Sequence, residues 1–197
     1  MIKRIFDLVA AVLGLILLAP LLLLIAVLIK WDSPGPVFYR GLRIGLHERP
    51  FRIFKFRTMR PDAELVGSNV TAHRDPRITA VGRWLRPAKL DELPQLLNVL
   101  TGEMSIVGPR PEVEEHTLAY SPEEKIILSV RPGITDYASI RFANLNELVG
   151  SEDAHRVFIE KYRAEKARLR VAYVQQHSFW VDIGIIFRTL GRLLVRR

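Results

Sequence analysis

Two acids stand side by side at Asp91 and Glu92, inside a stretch from Arg83 to Glu112 that reads RWLRPAKLDELPQLLNVLTGEMSIVGPRPE. Arg83, Arg86 and Lys89 lie just upstream, and Arg110 follows in Gly108-Pro109-Arg110-Pro111. Leu93, Leu96, Leu97 and Leu100 recur at helical spacing, so the pattern predicts a short amphipathic helix that begins at the acid pair. Pro94 is tolerated in a first turn, where N–H groups lack partners anyway, and Gly102 supplies a stop. At a helix N-terminus a carboxylate is favoured in its ionised form, and free N–H groups attract anions. An ionised pair ringed by guanidinium groups suits a site that handles a phosphorylated, metal-bound substrate. The plainer reading of the same residues is a solvated, salt-bridged face, because Asp and Glu are ordinary first-turn residues.

Composition narrows the setting. The chain has 197 residues, enough for one domain or one domain plus an anchor. Its apolar share is 49% and its formal charge +8. A basic balance implies an anionic partner: nucleic acid, an anionic membrane surface or a phosphorylated substrate. With no cysteine, a disulfide framework and thiolate metal sites are excluded, and a reducing compartment fits. The histidines (His47, His73, His116, His155, His177) show no paired zinc-ligand spacing. No P-loop, Rossmann fingerprint or nucleic-acid module is present, and no repeat or low-complexity tract.

The elements that must position the acids follow in order. Lys3 and Arg4 precede an uncharged apolar run from Leu8 to Ile29, roughly 22 residues and so long enough to cross a bilayer. No convincing cleavage site follows, so the run reads as retained. Ala19-Pro20 sits near its middle, where a proline removes a hydrogen bond and bends the axis. Basic residues flank both ends (Lys3, Arg4; Lys30). A spanning helix puts one basic cluster on the outer face, and a helix that breaks and returns does not. Both readings stand on the sequence alone. Val37 to Ile44 and Phe51 to Thr58 read as short strands joined through Gly45 to Pro50, a β-hairpin. Lys55 and Arg57 alternate with Phe54 and Phe56, so the cations share a face that carries phosphate or blunts an edge strand.

Residues 60 to 80 are polar and turn-rich, a surface loop with one short helix. Helices are expected at Glu112 to Tyr120 and from a Ser121 cap to about Val130, broken by Arg131 to Thr135. A long amphipathic helix is expected over Glu152 to Gln176. The tail from Phe179 to Arg197 combines a basic stripe (Arg188, Arg192, Arg196) with a wide apolar face bearing Phe179, Trp180, Phe187, Leu190 and Leu194. Such a helix lies on an anionic membrane or docks on the core by the same face. The fold class expected is an α-rich α/β membrane-associated domain. It has a membrane helix over 1–30, then a catalytic domain over 31–197 with a short hairpin, a catalytic helix and C-terminal amphipathic helices.

These motifs together resemble the monotopic phosphoglycosyl transferases, also called the bacterial sugar transferase family. The resemblance rests on the apolar segment broken at Pro20, on KFRTM from Lys55 to Met59, and on LDEL from Leu90 to Leu93 with Arg86 upstream. NVLTGEMSIVGPRP from Asn98 to Pro111 and RPGIT from Arg131 to Thr135 complete it. It implies transfer of a phospho-sugar from a UDP-sugar to polyprenol (undecaprenyl) phosphate, with UMP released, at the cytoplasmic face of a bacterial inner membrane. It makes Asp91 the nucleophile of a covalent aspartyl intermediate and gives Glu92, with Asp91, a Mg²⁺ ion to hold. Arg86 and Arg110 are the expected phosphate contacts, with Lys55, Arg57, Arg131 and Thr135 lining the site. It also implies a re-entrant helix–break–helix at Ala19-Pro20, although the family's break is often Ser-Pro. A second departure follows Thr135: many members continue Gly-Trp-Ala-Gln-Val, and this chain has Asp136-Tyr137-Ala138-Ser139-Ile140. The sugar is therefore not carried over. The rival readings are a membrane-anchored basic interaction protein in which the acids only cap a helix, a nucleic-acid binder, and a lipid phosphatase.

Overall fold

A computed structural model of the chain describes residues 1–61, 63, 75–143 and 154–195, with the backbone alone at 154, 155 and 193–195. The expected loop helix between 60 and 80, and Arg196 of the expected basic stripe, lie outside the described residues. The chain is helix-rich, with small two-stranded sheets. Helix α1 (Ile2–Asp32) is the one described helix long and apolar enough to cross a membrane. It runs through Ala19 and Pro20 as a single assigned helix, so the expected break is not a change of secondary structure. A proline costs one N–H···O bond, and the apolar, helix-forming residues on either side keep the rest of the ladder. The helix ends at Asp32, where Ser33 turns extended ahead of Pro34.

Both ends of α1 are hydrogen-bonded to the rest of the chain. Near its start, Arg4 donates to Val99 O (2.7 Å) and Leu100 O (3.2 Å), the closing carbonyls of a later helix. Lys3 donates to Val107 O (3.0 Å) and pairs with Asp182 at 2.5 Å. Asp7, wholly enclosed, accepts from Ser105 Oγ (2.8 Å) and Ile106 N (3.0 Å). At the far end, Arg57 donates to Ser33 O (2.8 Å) and Ile29 O (3.4 Å), and to the Pro34 carbonyl. Asp32 accepts from Val81 N (3.0 Å). Lys3 and Arg4, which read in the sequence as a basic flank of the apolar run, are docking residues.

Between those ends one face of α1 is core. Ala11 and Leu15 pack with Phe51, Ile53, Leu96, Val99 and Met104. Ile25 and Ile29 pack with Phe56 and Leu85. Ile5, Val9, Leu13, Ile16, Leu17, Leu23, Leu24 and Trp31 are exposed. Helix α1 thus shares its cores with the remainder of the chain across the expected boundary at residue 30.

The hairpin forms with interruptions. Strands β1 (Phe38–Tyr39) and β4 (Lys55–Phe56) pair antiparallel, as do β2 (Leu42–Ile44) and β3 (Pro50–Arg52). Helix α2 (Ala80–Leu85) is capped by Thr79, whose Oγ1 accepts from Gly82 N at 3.0 Å. Helix α3 (Gln95–Thr101) stops at Gly102, whose φ of 87° is the left-handed cap expected of glycine. Strands β5 (Ser105–Val107) and β6 (Gly133–Thr135) then pair in parallel. This pairing brings Gly108-Pro109 and Pro132-Gly133 into backbone contact: a Cβ on Gly133 would lie 2.0 Å from Gly108 N.

Helix α4 (Glu114–Leu118) is shorter than expected, and the Ser121 segment is 3₁₀ over Glu124–Ser129 rather than α. Its capping box is present: Glu124 N donates to Ser121 Oγ (3.3 Å) and Ser121 N to Glu124 Oε2 (2.9 Å). After α5 (Tyr137–Arg141), the long helix is α6 (Ala154–Val157), a π turn (Phe158–Tyr162) and α7 (Arg163–Gln176). The tail is α8 (Phe179–Val195), which packs on β5, β6 and α5. Its Ile185 and Asp182 are buried, while Trp180, Phe187 and Leu190 are exposed. One apolar face docks and a second remains open.

Replacing Asp7 by Ala leaves Ser105 Oγ–H and Ile106 N–H buried without a partner. We expect a loss of about 2–3 kcal/mol, read as a lower denaturation midpoint of the detergent-solubilised protein.

Candidate active site

The acid pair lies one turn ahead of α3, not in its first turn. Lys89 adopts a left-handed φ of 57°, and Leu90–Glu92 form a 3₁₀ turn behind it. Leu93 N–H then donates to Leu90 O (3.3 Å), Leu96 to Leu93 O (3.1 Å) and Leu97 to Pro94 O (3.0 Å). Pro94 becomes the N-cap, which delays the α-helical pattern until Gln95. Leu96 and Val99 face α1. On another side of α3, Asn98 accepts from Phe54 N (2.8 Å) and donates to Arg52 O (3.0 Å) and Glu103 (2.7 Å). That side chain clamps the hairpin to α3 and brings Lys55 beside the acids.

The adjacent carboxylates have different surroundings. Glu92 Oε1 accepts from Lys55 Nζ at 3.2 Å and from Arg110 Nη2. Arg110 is itself fixed: its Nη1 donates to Ile134 O (3.3 Å) and its main-chain N–H to Asp136 Oδ2 (3.2 Å). Burial alone would raise the Glu92 pKa. Arg110, Lys55 and Lys89 outweigh that and hold it far below the usual carboxylate range. Burial also lowers Lys55 below an ordinary lysine, although Glu92 opposes the shift.

Asp91 is 7% exposed, and its Oδ1 is buried with no hydrogen-bond partner. Burial pushes its pKa up, as does the charge of Glu92, while Lys55, Arg86 and Lys89 pull it down without cancelling the rise. One acid therefore holds two cations, and its neighbour sits in their field with no ion pair of its own among the described residues.

The other expected site residues divide. Arg86 donates to Thr58 Oγ1 at 3.3 Å and contributes to the field at Asp91. Arg57 is occupied by the carbonyls that end α1, not by the acid pair. Arg131 is exposed and donates to Gly102 O at 2.8 Å. Thr135 Oγ1 shares a hydrogen bond with Thr189 Oγ1 at 2.8 Å, tying β6 to α8. The structure thus gathers Asp91, Glu92, Lys55, Arg110 and Arg86.

It adds a supporting cluster that the sequence did not disclose. Buried Arg170 of α7 pairs with Glu112 and lies 3.5 Å from Asp136, the residue that holds the Arg110 N–H. Arg170, Lys166 and His116 overcome burial and keep Glu112 well below the usual carboxylate range. The one signal for Asp136 was its cap position, accepting from Ser139 N at the start of α5. Arg170 carried none, since an arginine on an amphipathic helix reads as surface.

No group of three or more metal-ligating side chains occurs among the described residues. Mg²⁺ does not require one, because it is commonly held by one or two carboxylates plus substrate phosphate and water. The partnerless Oδ1 of Asp91 and the neighbouring carboxylate of Glu92 fit that donor set.

Residues 1–196 match the family model described as bacterial sugar transferase. A UDP-glucose:undecaprenyl-phosphate glucose-1-phosphate transferase of Caulobacter vibrioides is 44% identical, over 98% of this chain and 69% of that protein. An undecaprenyl-phosphate glucose phosphotransferase of Komagataeibacter xylinus is also 44% identical, over 99% of this chain but only 36% of its own length. The exopolysaccharide production protein PSS of Rhizobium leguminosarum bv. phaseoli is 40% identical, over 99% of this chain and 96% of its own. This chain belongs to the bacterial sugar transferase family.

Arg110→Met strips Glu92 of its main partner and leaves a buried carboxylate undercompensated. We expect it to cost about 3 kcal/mol of stability, against under about 1 kcal/mol for exposed Arg131→Met, compared by thermal melting in one detergent.

Proposed function

We propose that this chain moves a phospho-sugar from a UDP-sugar to polyprenol phosphate, releasing UMP, with Asp91 as the nucleophile. The observation that carries this reading is the division between the two acids: Glu92 is ion-paired to Lys55 and Arg110, and Asp91 makes no ion pair among the described residues and has a buried Oδ1 without a hydrogen-bond partner. An Asp91 oxygen attacks the sugar-side phosphorus of the diphosphate. The bond from that phosphorus to the bridging oxygen breaks, and its electron pair leaves with UMP. The product is an acyl phosphate joining Asp91 to the sugar phosphate. An oxygen of polyprenol phosphate then attacks the same phosphorus, the bond to Asp91 breaks, and the carboxylate is restored. One difficult displacement becomes two.

Arg110, Lys55 and Arg86 meet the phosphate oxygens, Arg110 and Lys55 being held ready by Glu92. Mg²⁺ held by Glu92 and Asp91 supplies charge neutralisation of the diphosphate and of departing UMP. Arg57, Arg131 and Thr135 serve the frame through their bonds to α1, α3 and α8. The name of the Caulobacter vibrioides relative makes UDP-glucose the first donor to test. The Asp136–Ile140 segment, which departs from the family pattern, is where sugar choice would differ.

The same reading puts the protein on a membrane. A helix whose two ends are hydrogen-bonded to one polar body cannot also place those ends on opposite sides of a bilayer. We therefore read α1 as dipping into one leaflet and returning, with Pro20 at its deepest part and its exposed apolar side in lipid. The open face of α8, with Trp180, Phe187 and Leu190, lies in the same interface, and Arg188 and Arg192 meet anionic headgroups. The cytoplasmic face of the inner membrane supplies both UDP-sugar and lipid phosphate.

The test is UMP release in lipid discs with Mg²⁺, undecaprenyl phosphate and a panel of UDP-sugars. Wild type is expected to release UMP from one donor and Asp91→Asn to lose at least about a thousandfold in rate. If the folded wild type is inert towards every donor, the catalytic reading falls and membrane docking without catalysis takes its place.

The attacking form is the carboxylate, so the first half-reaction slows as pH falls through the Asp91 pKa. Because burial raises that value, the acid limb is expected above the ordinary 3.8, while Glu92 stays ionised throughout. Its midpoint is read from the pH dependence of UMP formation without acceptor.

A further inference from the structure

Lys89 stands two residues ahead of Asp91 in a left-handed backbone conformation, with φ 57° and ψ 19°. Among the described residues only His47 and Glu48, in the hairpin turn, share a positive φ without being glycine. A side chain is strained in that region, whereas glycine adopts it freely. The turn is fixed through the main chain: Lys89 N–H donates to Arg86 O (3.1 Å), and Lys89 O accepts from Glu92 N–H (3.2 Å). Glycine would make the same two bonds. The backbone thus offers no reason for a lysine here, and strain kept beside reacting groups points to a use for the side chain. Lys89 is exposed, and its charge acts on both Asp91 and Glu92. Lys55 and Arg110, by contrast, are already held by Glu92.

The surroundings of Lys89 say which phosphate it serves. Leu90, the next residue, packs in one cluster with Leu21, Leu22, Ile25 and Ile29 of α1. Helix α2 lies against both α1 and the Leu90–Glu92 turn. This is the part of α1 that follows Pro20, where Leu23, Leu24 and Val27 are exposed, and Trp84 of α2 is exposed as well. Arg110 is held from elsewhere, by Ile134 of β6 and by Asp136. The turn that bears the acids is therefore seated on the half of α1 whose open side meets lipid, and Lys89 begins that turn. A phosphate carried on a lipid chain arrives along that half of the helix; a water-soluble donor has no need to.

We infer that Lys89 binds the phosphate of the lipid acceptor and holds it beside Asp91 for the second displacement. The inference rests on the reaction proposed above, with Asp91 as the nucleophile and the open side of α1 in lipid. The acceptor phosphate is an anion approaching a phosphoryl group that lies beside carboxylates. An exposed ammonium on a flexible stem offsets that repulsion as a point charge. A cation that serves the acceptor alone acts after UMP has left, so its loss separates the two half-reactions. A lysine that only solubilises the surface leaves both unchanged.

The experiment compares wild type, Lys89→Gly and Lys89→Arg in lipid discs. Lys89→Gly is expected to melt within about 3 °C of wild type, because relief of the left-handed strain offsets the freedom glycine adds to the unfolded chain. UMP formed without acceptor stays within about threefold, while discharge of the acyl phosphate by undecaprenyl phosphate slows by about tenfold or more. Lys89→Arg, which keeps the charge, retains at least about a third of wild-type discharge. A loss confined to UMP formation, a loss shared equally by both half-reactions, or no loss at all overturns the assignment. If Lys89→Gly does not fold, Lys89→Asn, which also tolerates a positive φ, takes its place with the same expectations. A second arm needs no turnover: binding of undecaprenyl phosphate in detergent, with no UDP-sugar present. Lys89→Gly is expected to weaken it by about tenfold and to leave binding of undecaprenol, which has no phosphate, within about twofold. Equal binding of undecaprenyl phosphate by both proteins overturns the contact, and this arm judges it even if wild type releases no UMP and the assigned reaction fails.

Discussion

The ion pair between Glu92 and Arg110 is the interaction on which the arrangement depends. Arg110 is locked by the Ile134 carbonyl and by Asp136, and its loop is strapped to β6 where Gly108 and Gly133 touch. Lys55 arrives from the hairpin because Asn98 holds that strand to α3. Glu92 is where these separately anchored cations meet. A buried ion pair contributes little net stability once desolvation is counted, so its value here is geometric. It sets positive groups beside Asp91 while sparing Asp91 a pairing of its own. Two identical charges on adjacent residues become different chemical groups through their partners alone.

The same body that carries the acids also carries the apolar helix. Asp7, Arg4 and Lys3 secure its start, and Arg57 secures its end. The cores beneath α3 and beneath α2 each include residues of α1. The acid pair is therefore placed relative to the apolar surface by packing rather than by a tether. For a reaction joining a water-soluble donor to a lipid-borne acceptor, that rigidity matters, because the attacking groups must sit at a fixed depth. Arg170 extends the framework to α7, bridging Glu112 and Asp136 on either flank of the Arg110 loop.

What could be read in the sequence was local. The Gly102 stop, the Ser121 cap and the hairpin through Gly45 to Pro50 follow from single residues with strong backbone or capping preferences. What could not be read depended on partners distant in the chain. Alternation put Lys55 and Arg57 together, but not what faced them, and the structure sends one to Glu92 and the other to the end of α1. The start of α3 was displaced because Lys89 takes a left-handed turn that no propensity foretells. Gln95 and Arg170 are polar residues buried by tertiary packing, and their sequence surroundings look like ordinary helix surface.

The central claim is that Asp91 becomes covalently bonded to phosphorus. The most direct measurement is peptide mapping by mass spectrometry after mixing the protein with UDP-glucose and Mg²⁺ without lipid acceptor, then quenching in acid. The account predicts a hexose-phosphate adduct on the peptide containing Asp91, discharged when undecaprenyl phosphate is added and absent from Asp91→Asn. UMP formed by folded protein with no adduct at any time, or an adduct on a residue other than Asp91, would contradict it.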